Sequence, residues 1–301
     1  IGRCPTLPGP TRRRAEPMAV GFIGLGKMGG PMAANIAKAF PGLVCFDAAG
    51  TEARLPPGAA AAASVAGVAT QCATVLLSVP DGAATRSVAE AILATAGRAV
   101  RVVIDLSTIG PEAAHDAAGL LAAIDVTYCD GPVSGGAAGA RAATISLMFS
   151  GPSAVLDEHR GLLESFTGNV FHVGERAGQG QAMKLANNYL SATALAASSE
   201  AIAFGVAHGL DITTMIDVLN VSTGRNSATA DKFPNRIITG TYDAGFSTAH
   251  MTKDVGLFVE GAGAANTADT VANAVATTWR GCDAALPGSD FTEIWRYVSS
   301  A

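Results

Sequence analysis

Between Ala19 and Asp130 short apolar runs alternate with stretches of mixed character. Ala19-Val20-Gly21-Phe22-Ile23, Leu43-Val44-Cys45-Phe46, residues 74–79, Val102-Val103-Ile104-Asp105 and Thr127-Tyr128-Cys129-Asp130 each read as a buried strand. A continuous apolar run too short for a helix and bounded by Gly, Pro or Asp is what a strand covered on both faces requires. Between the first two runs the spacing of Met32, Ile36 and Ala37 is helical. From about Gln181 the strand signals stop. Residues 183–208, 212–221, 247–263 and 267–285 read as long helices, punctuated by Gly205, Gly209, Gly224 and Gly240. The pattern predicts an α/β fold: a βαβ domain over 18–180 and an all-helical domain over 181–301. No internal repeat or low-complexity linker intervenes, so a helix over 181–208 is expected to join them directly.

The first run leads into Gly24-Leu25-Gly26-Lys27-Met28-Gly29, with the helix pattern behind it. In a strand–turn–helix setting the glycines of a GxGxxG serve three ends: a tight turn, close approach of backbone to a pyrophosphate, and close packing of helix on strand. The helix N-terminus adds free N–H groups and a positive dipole end. In a chain with 35 glycines the motif alone is weak. The acid closing the next run strengthens it: Asp47 stands where a carboxylate accepts from the ribose 2′-OH and repels a 2′-phosphate. Ala48 and Ala49 follow, so NAD is expected over NADP, with Arg54 the nearest cation able to soften that preference.

Ligands of such sheets bind at the carboxyl ends of the strands. Those ends carry Val79-Pro80-Asp81-Gly82, Leu106-Ser107-Thr108 and Gly131-Pro132-Val133-Ser134-Gly135-Gly136. The last can offer a hydroxyl and several backbone N–H groups to a carboxylate, although Ser-Gly-Gly elsewhere is an ordinary flexible turn.

Gly178-Gln179-Gly180-Gln181-Ala182-Met183-Lys184-Leu185-Ala186-Asn187-Asn188 places a lysine and the two amides of Asn187 and Asn188 at the start of a helical segment. Lys184 and Asn188 project from one helix face, with Asn187 beside them. From there to Phe204 the only charge is Glu200, a poor setting for a merely solvated lysine. A partly desolvated lysine with a lowered pKa can take a hydroxyl proton and, when protonated, return it. Phe246, Lys253 and Asp254 form a second constellation, with Phe246 and Lys253 two helical turns apart if one helix includes both. Taken alone, Lys253-Asp254 reads as an exposed helix pair.

The chain is 49% hydrophobic and 15% charged, which suits a large core. No uninterrupted apolar run reaches the ~18 residues of a membrane span, and a net charge of −5 without a basic block argues against nucleic acid. Cys4, Cys45, Cys72, Cys129 and Cys282 are scattered and odd in number, and the five histidines are dispersed. Reduced thiols, no metal site and a cytoplasmic setting are expected. Residues 1–17, rich in proline and arginine and without apolar periodicity, read as a disordered extension. A mitochondrial presequence would suit the arginines but not the prolines, and would move the expected compartment to the matrix.

Together these motifs resemble the β-hydroxyacid dehydrogenase family, in its 3-hydroxyisobutyrate dehydrogenase and tartronate semialdehyde/glyoxylate reductase branch. The resemblance covers nearly everything from Met18 onward and rests on four ordered motifs: GFIGLGKMGGPMAANI at 21–36, DGPVSGG at 130–136, GQGQAMKLANN at 178–188 and TKD at 252–254. It implies an N-terminal Rossmann domain binding NAD, with NADP open, an all-helical C-terminal domain, a site between them, a small carboxylate substrate, and a homodimer or homotetramer. On that pattern Lys184 is the catalytic lysine, Asn188 helps bind substrate, and Ser134, Gly135 and Gly136 hold its carboxylate. Thr108 and Lys253 join Gly24, Leu25, Gly26, Lys27, Met28, Gly29, Asp47, Val79 and Pro80 as cofactor-contacting positions, while Phe246 and Asp254 line the closed site. Gly131 departs from the family's usual alanine.

The implied activity is hydride transfer between nicotinamide and a short 3-hydroxy acid or its semialdehyde, as in 3-hydroxyisobutyrate dehydrogenase. Reduction of tartronate semialdehyde, glyoxylate or succinic semialdehyde is the alternative. A non-catalytic nucleotide-binding protein is the alternative from another class, and intact Lys184, Asn188 and Ser134 weigh against it. The related 6-phosphogluconate dehydrogenases have a longer helical domain and a histidine near the lysine, and imine reductases usually replace the lysine.

Overall fold

The five apolar runs form the core strands of one sheet in the computed structural model, which describes residues 19–300. The expected extension over 1–17 lies outside the described residues. In chain order the first part comprises β1 (Val20–Ile23), α1 (Gly29–Ala39), β2 (Val44–Phe46), β3 (Ala60–Ala61), α2 (Val65–Gln71), β4 (Thr74–Leu77), α3 (Gly82–Ala94), β5 (Val102–Asp105), α4 (Pro111–Ala122), β6 (Thr127–Asp130), β7 (Val133–Ser134), α5 (Gly136–Ala142), β8 (Ser146–Ser150), α6 (Ser153–Glu164) and β9 (Asn169–Gly174). The strand order is β3-β2-β1-β4-β5-β6-β8-β7, with β9 also on β8. β1 to β6 are parallel, and β1 lies between β2 and β4. The order reverses there, so the crevice for a ligand opens at the carboxyl end of β1. This is a Rossmann-like domain. Buried apolar clusters cover both faces of its sheet, one around Phe22, Ile36 and Phe149 and the other around Val75, Ile92 and Val103.

Three details differ from the pattern-based reading. β4 stops at Leu77: Ser78 N–H makes the last ladder bond, to Ile23, and Val79 N–H turns instead to Ser107 Oγ. Ser134 ends not a parallel strand but β7, which runs antiparallel to β8 with Val133 opposite Leu147. β9 pairs parallel to β8 and extends the sheet further.

The helical part comprises α7 (Gln179–Ala207), α8 (Ile212–Asn220), a π-helix at Ala228–Ile237, α9 (Thr248–Ala264), α10 (Thr270–Ala285), a 3-10 turn at Phe291–Glu293 and α11 (Ile294–Ser299). Its core gathers around Trp279, fully buried, whose Nε1 donates to Ala192 O across 3.3 Å. By length and composition α7 is apolar enough to cross a membrane, with a mean hydropathy of 1.4 in its most apolar window, although no single unbroken apolar run produces that value. It is instead packed against α8, α9, α10 and α11. Ser247 caps α9, so Phe246 lies outside that helix, and the two-turn relation to Lys253 expected for it does not hold.

Candidate active site

The glycine turn after β1 meets all three requirements of a dinucleotide turn. A Cβ on Gly24, whose φ is +94°, would stand 2.2 Å from the Ser78 carbonyl oxygen, and one on Gly29 would stand 1.9 Å from that of Gly24. At Gly26 a Cβ would meet nothing within 4 Å. Gly24 and Gly29 are therefore dictated by the protein's own packing, while Gly26 keeps a stretch of backbone open to a ligand. Lys27 is exposed and Met28 packs against the core behind the turn.

Asp47, at the end of β2, is buried. Its Oδ2 accepts from Leu25 N–H at 2.6 Å, and its Oδ1 accepts from Ala49 N–H at 2.8 Å and from Arg54 Nη1 at 3.1 Å. Burial pushes this carboxyl's pKa upward, but the two N–H groups and the Arg54 guanidinium more than offset that, and the net shift is downward. Arg54 is thus already paired with Asp47. Open backbone at Gly26, a helix N-terminus behind it and an ionised acid at the next strand end fit a dinucleotide.

The neighbouring loops converge. Val79 N–H donates to Ser107 Oγ at 2.8 Å. From α9, Lys253 Nζ donates to the carbonyls of Thr108 at 2.7 Å and Pro80 at 3.3 Å. Val79, Pro80, Thr108 and Lys253 therefore form one cluster, and the exposed-pair alternative for Lys253-Asp254 fails, since Asp254 is only 2% exposed.

The N-terminus of α7 is docked into the sheet. Asp130 Oδ1 accepts from Gly178 N–H at 2.7 Å and Oδ2 from Gln181 N–H at 2.8 Å. Ser150 Oγ donates to Asp130 at 2.8 Å and accepts from Gly180 N–H at 2.8 Å. A carboxylate at a helix N-terminus satisfies orphan donors and complements the dipole. Burial raises the Asp130 pKa, with those hydrogen bonds opposing. One and a half turns further on, Lys184 is buried. Desolvation lowers its pKa, Asp254 opposes the fall and Lys253 adds to it, leaving it at about 8. Asn188 Nδ2 donates to Asp254 Oδ2 at 2.6 Å, and Asn187 donates to Asn188 Oδ1 at 3.1 Å. Asp254 Oδ1 lies 3.4 Å from Lys253 Nζ without hydrogen-bond geometry. Lys184, Asn188 and Asp254, all buried, form one constellation with the half-buried Lys253.

Two predicted elements stand apart from it in their contacts. Ser134 is half-buried before Gly135 and Gly136, whose φ angles are +133° and +65°, and no bond ties them to Lys184 among the described residues. A Cβ on Gly131 would sit 3.5 Å from Leu147, ordinary contact, so glycine or alanine suits that position. Phe246 packs on Phe291 and His250, and its carbonyl accepts from Phe291 N–H, contacts of the helical core. Asn226 donates to Ser198 and accepts from the N–H groups of Ala228 and Thr229 at the start of the π-helix. Gln181, Asp130 and Ser150 do not stand out as site residues in the sequence; Gln181 is visible there only as an amide inside the glycine-rich motif. A cavity of about 750 Å³ lies between α4, α7 and α9, lined by Glu112, His115, Arg176, Leu185 and Phe258 among others, and includes none of the predicted site residues.

This fold and crevice define a nicotinamide-dinucleotide-binding oxidoreductase. Residues 19–174 match the NAD binding domain of 6-phosphogluconate dehydrogenase, and residues 178–298 match the family described as NAD-binding of NADP-dependent 3-hydroxyisobutyrate dehydrogenase. The chain is 35% identical to the 3-hydroxyisobutyrate dehydrogenase of Pseudomonas aeruginosa over 91% of its own length and 96% of the relative's. It is 33% identical to the 2-(hydroxymethyl)glutarate dehydrogenase of Eubacterium barkeri over 80% and 81%. A solved structure of Mycobacterium tuberculosis 3-hydroxyisobutyrate dehydrogenase with L-serine superposes with a TM-score of 0.85 at 30% identity, covering 93% of this chain and 99% of that one. The chain belongs to the β-hydroxyacid dehydrogenase family. It is an NAD(P)-dependent hydroxyacid dehydrogenase.

Proposed function

We propose that the enzyme interconverts a short 3-hydroxy acid of the 3-hydroxyisobutyrate type and its semialdehyde, with Lys184 as general acid/base. The observation carrying this is a buried lysine with a pKa of about 8, facing Asp254 and Asn188 at the domain junction. A lysine in water near neutral pH is almost wholly protonated, whereas this one changes state close to the operating range. Bound nicotinamide supplies or accepts the hydride. Neutral Lys184 takes the hydroxyl proton at Nζ in oxidation, and its ammonium returns a proton to the aldehyde oxygen in reduction. Burial keeps water from competing for that proton. Asn188, fixed by Asp254 through one of its two amide hydrogens, keeps the other for the substrate oxygen.

Ser134 Oγ with the N–H groups of Gly135 and Gly136 would hold the substrate carboxylate, a reading supported by the positive φ angles, which turn successive N–H groups outward. The turn at 24–29, Asp47, Val79, Pro80, Thr108 and Lys253 would hold the dinucleotide, with NAD preferred because Asp47 is ionised. We place the domain division at 180/181, close to the start of α7. The outer face of α7 exposes Met183, Leu190 and Phe204, an apolar stripe suited to a second copy in a homodimer or homotetramer. A cytoplasmic setting accords with Cys45, Cys72, Cys129 and Cys282, which are all free and buried, with burial pushing the thiol pKa values to about 11–12.

The test is Lys184→Met, which keeps the apolar stem. It should retain fold and NAD binding while turnover of 3-hydroxyisobutyrate falls ~10²–10⁴-fold. Near-normal kcat in the folded variant would refute the assignment.

A further inference from the structure

Gln181 lies three residues before Lys184 on the same side of α7 and is fully buried. Its amide serves the loop between β5 and α4. Oε1 accepts from the N–H groups of Ile109 at 2.9 Å and Gly110 at 3.3 Å, and Nε2 donates to the Ser107 carbonyl at 3.0 Å. Those residues bracket Thr108, whose own carbonyl is held by Lys253. The loop has a second footing in Asp105, whose Oδ1 accepts from Ser107 N–H at 2.9 Å. Gln181's own N–H is fixed on Asp130. One side chain thus joins two parts of the site that lie 72 positions apart in the chain.

We propose that Gln181 is a positioning residue: it locks the loop carrying Thr108 to the turn of α7 carrying Lys184, so that the cofactor's seat and the proton carrier keep one spacing. The proposal rests on Lys184 being the acid/base. Hydride and proton leave adjacent atoms of one substrate, so both acceptors must be right at once, and a misplacement of about 1 Å can cost ~10²-fold in rate. A primary amide suits this role because it accepts from N–H groups at one end and donates to a carbonyl at the other. It is also neutral, and leaves the nearby ammonium's titration alone. Gln181→Glu would turn an acceptor toward the Ser107 carbonyl, and Gln181→Met would leave three backbone groups without partners.

The experiment uses the full chain with Gln181→Glu, Gln181→Met and, as a control, Ile202→Ala in the helical core away from this network. Expected for both Gln181 variants is a kcat lowered at least roughly ten-fold, with KM for NAD and for hydroxy acid within about three-fold. The ratio of Gln181→Glu to wild-type kcat should climb as pH falls below about 6, since a protonated carboxyl regains a donor toward Ser107. Ile202→Ala should lose thermal stability and keep kcat. Gln181 variants with wild-type kcat, or with losses no greater than their unfolded fraction, would overturn the coupling. If Lys184→Met abolishes turnover while both Gln181 variants run normally, only the coupling fails and the acid/base assignment stands.

Discussion

Asn188 Nδ2 and Asp254 Oδ2 are 2.6 Å apart, and the bond holds a buried carboxylate where its charge acts on Lys184. Burial alone would lower the lysine's pKa further; Asp254 opposes that fall and Lys253 assists it. The balance leaves the group at about 8, so the site is tuned by residues that need not touch substrate.

The sign of the pH dependence follows. With Lys184 as the proposed proton carrier, oxidation would need it neutral, so its rate should rise with pH through about 8 and level off above, while reduction would need the ammonium and should fall over the same range. Asp254→Asn removes the opposing charge and should move both inflections lower. Initial rates in each direction from about pH 6 to about pH 10 will show this, and a wild-type inflection close to the unperturbed lysine value would remove Lys184 from the role.

On the proposed reading of the dinucleotide seat, cofactor choice turns on Asp47 and Arg54. In NAD the guanidinium can stay on the carboxylate, whereas a 2′-phosphate would sit beside an ionised acid. Asp47→Ser combined with Ala48→Arg should shift the ratio of kcat/KM for NADP over NAD upward by at least about ten-fold. Arg54→Gln in the wild-type background should depress NADP use more than NAD use. Steady-state kinetics with both cofactors is the check, and a wild type that already prefers NADP would contradict the reading of Asp47.

Ser134→Ala should raise KM for the hydroxy acid roughly ten-fold while leaving NAD affinity unchanged, since one neutral donor among several is worth about 1–2 kcal/mol. The N–H groups of Gly135 and Gly136 would persist, so binding weakens without vanishing. Comparing the acid with its amide analogue tests the clamp directly: equal turnover of the two by the wild type would return this segment to the status of a plain turn.

Asp130→Asn places an NH₂ group among donors, because both carboxylate oxygens now accept. Loss of about 2–3 kcal/mol of stability is expected, read as a lower denaturant midpoint. An unchanged midpoint would mean that the N-terminus of α7 is held by other contacts.

Much of this is legible in the sequence because local chemistry determines it. In the 24–29 turn Gly29 is forced by its contact with Gly24 inside one βα unit, while Gly24 is pressed by Ser78 at the end of the neighbouring strand, and Asp47 follows from the next strand. Lys184 and Asn188 share a face by helical period alone. The remainder depends on tertiary partners. Gly178 and Gly180 look like helix breakers, yet α7 begins between them because Asp130 and Ser150, distant in sequence, accept the N–H groups of its first turn. The π-helix contains Pro234 and reads as a break. Phe246 borders a helical pattern whose cap, Ser247, excludes it. The buried amide of Gln181 gives no periodic signal, since its partners are backbone groups of a loop some seventy positions earlier.

The docking of α7 at one end also has a mechanical consequence. The helix runs for 29 residues, so at ~1.5 Å per residue its far end lies about 42 Å from the anchor, while Lys184 lies only about 8 Å away. A swing of about 5° about that fulcrum would carry the tip by nearly 4 Å but the lysine by well under 1 Å. Lys184 therefore sits on the short arm of a lever and stays in register with the sheet even where the far end of the helix shifts by several ångströms.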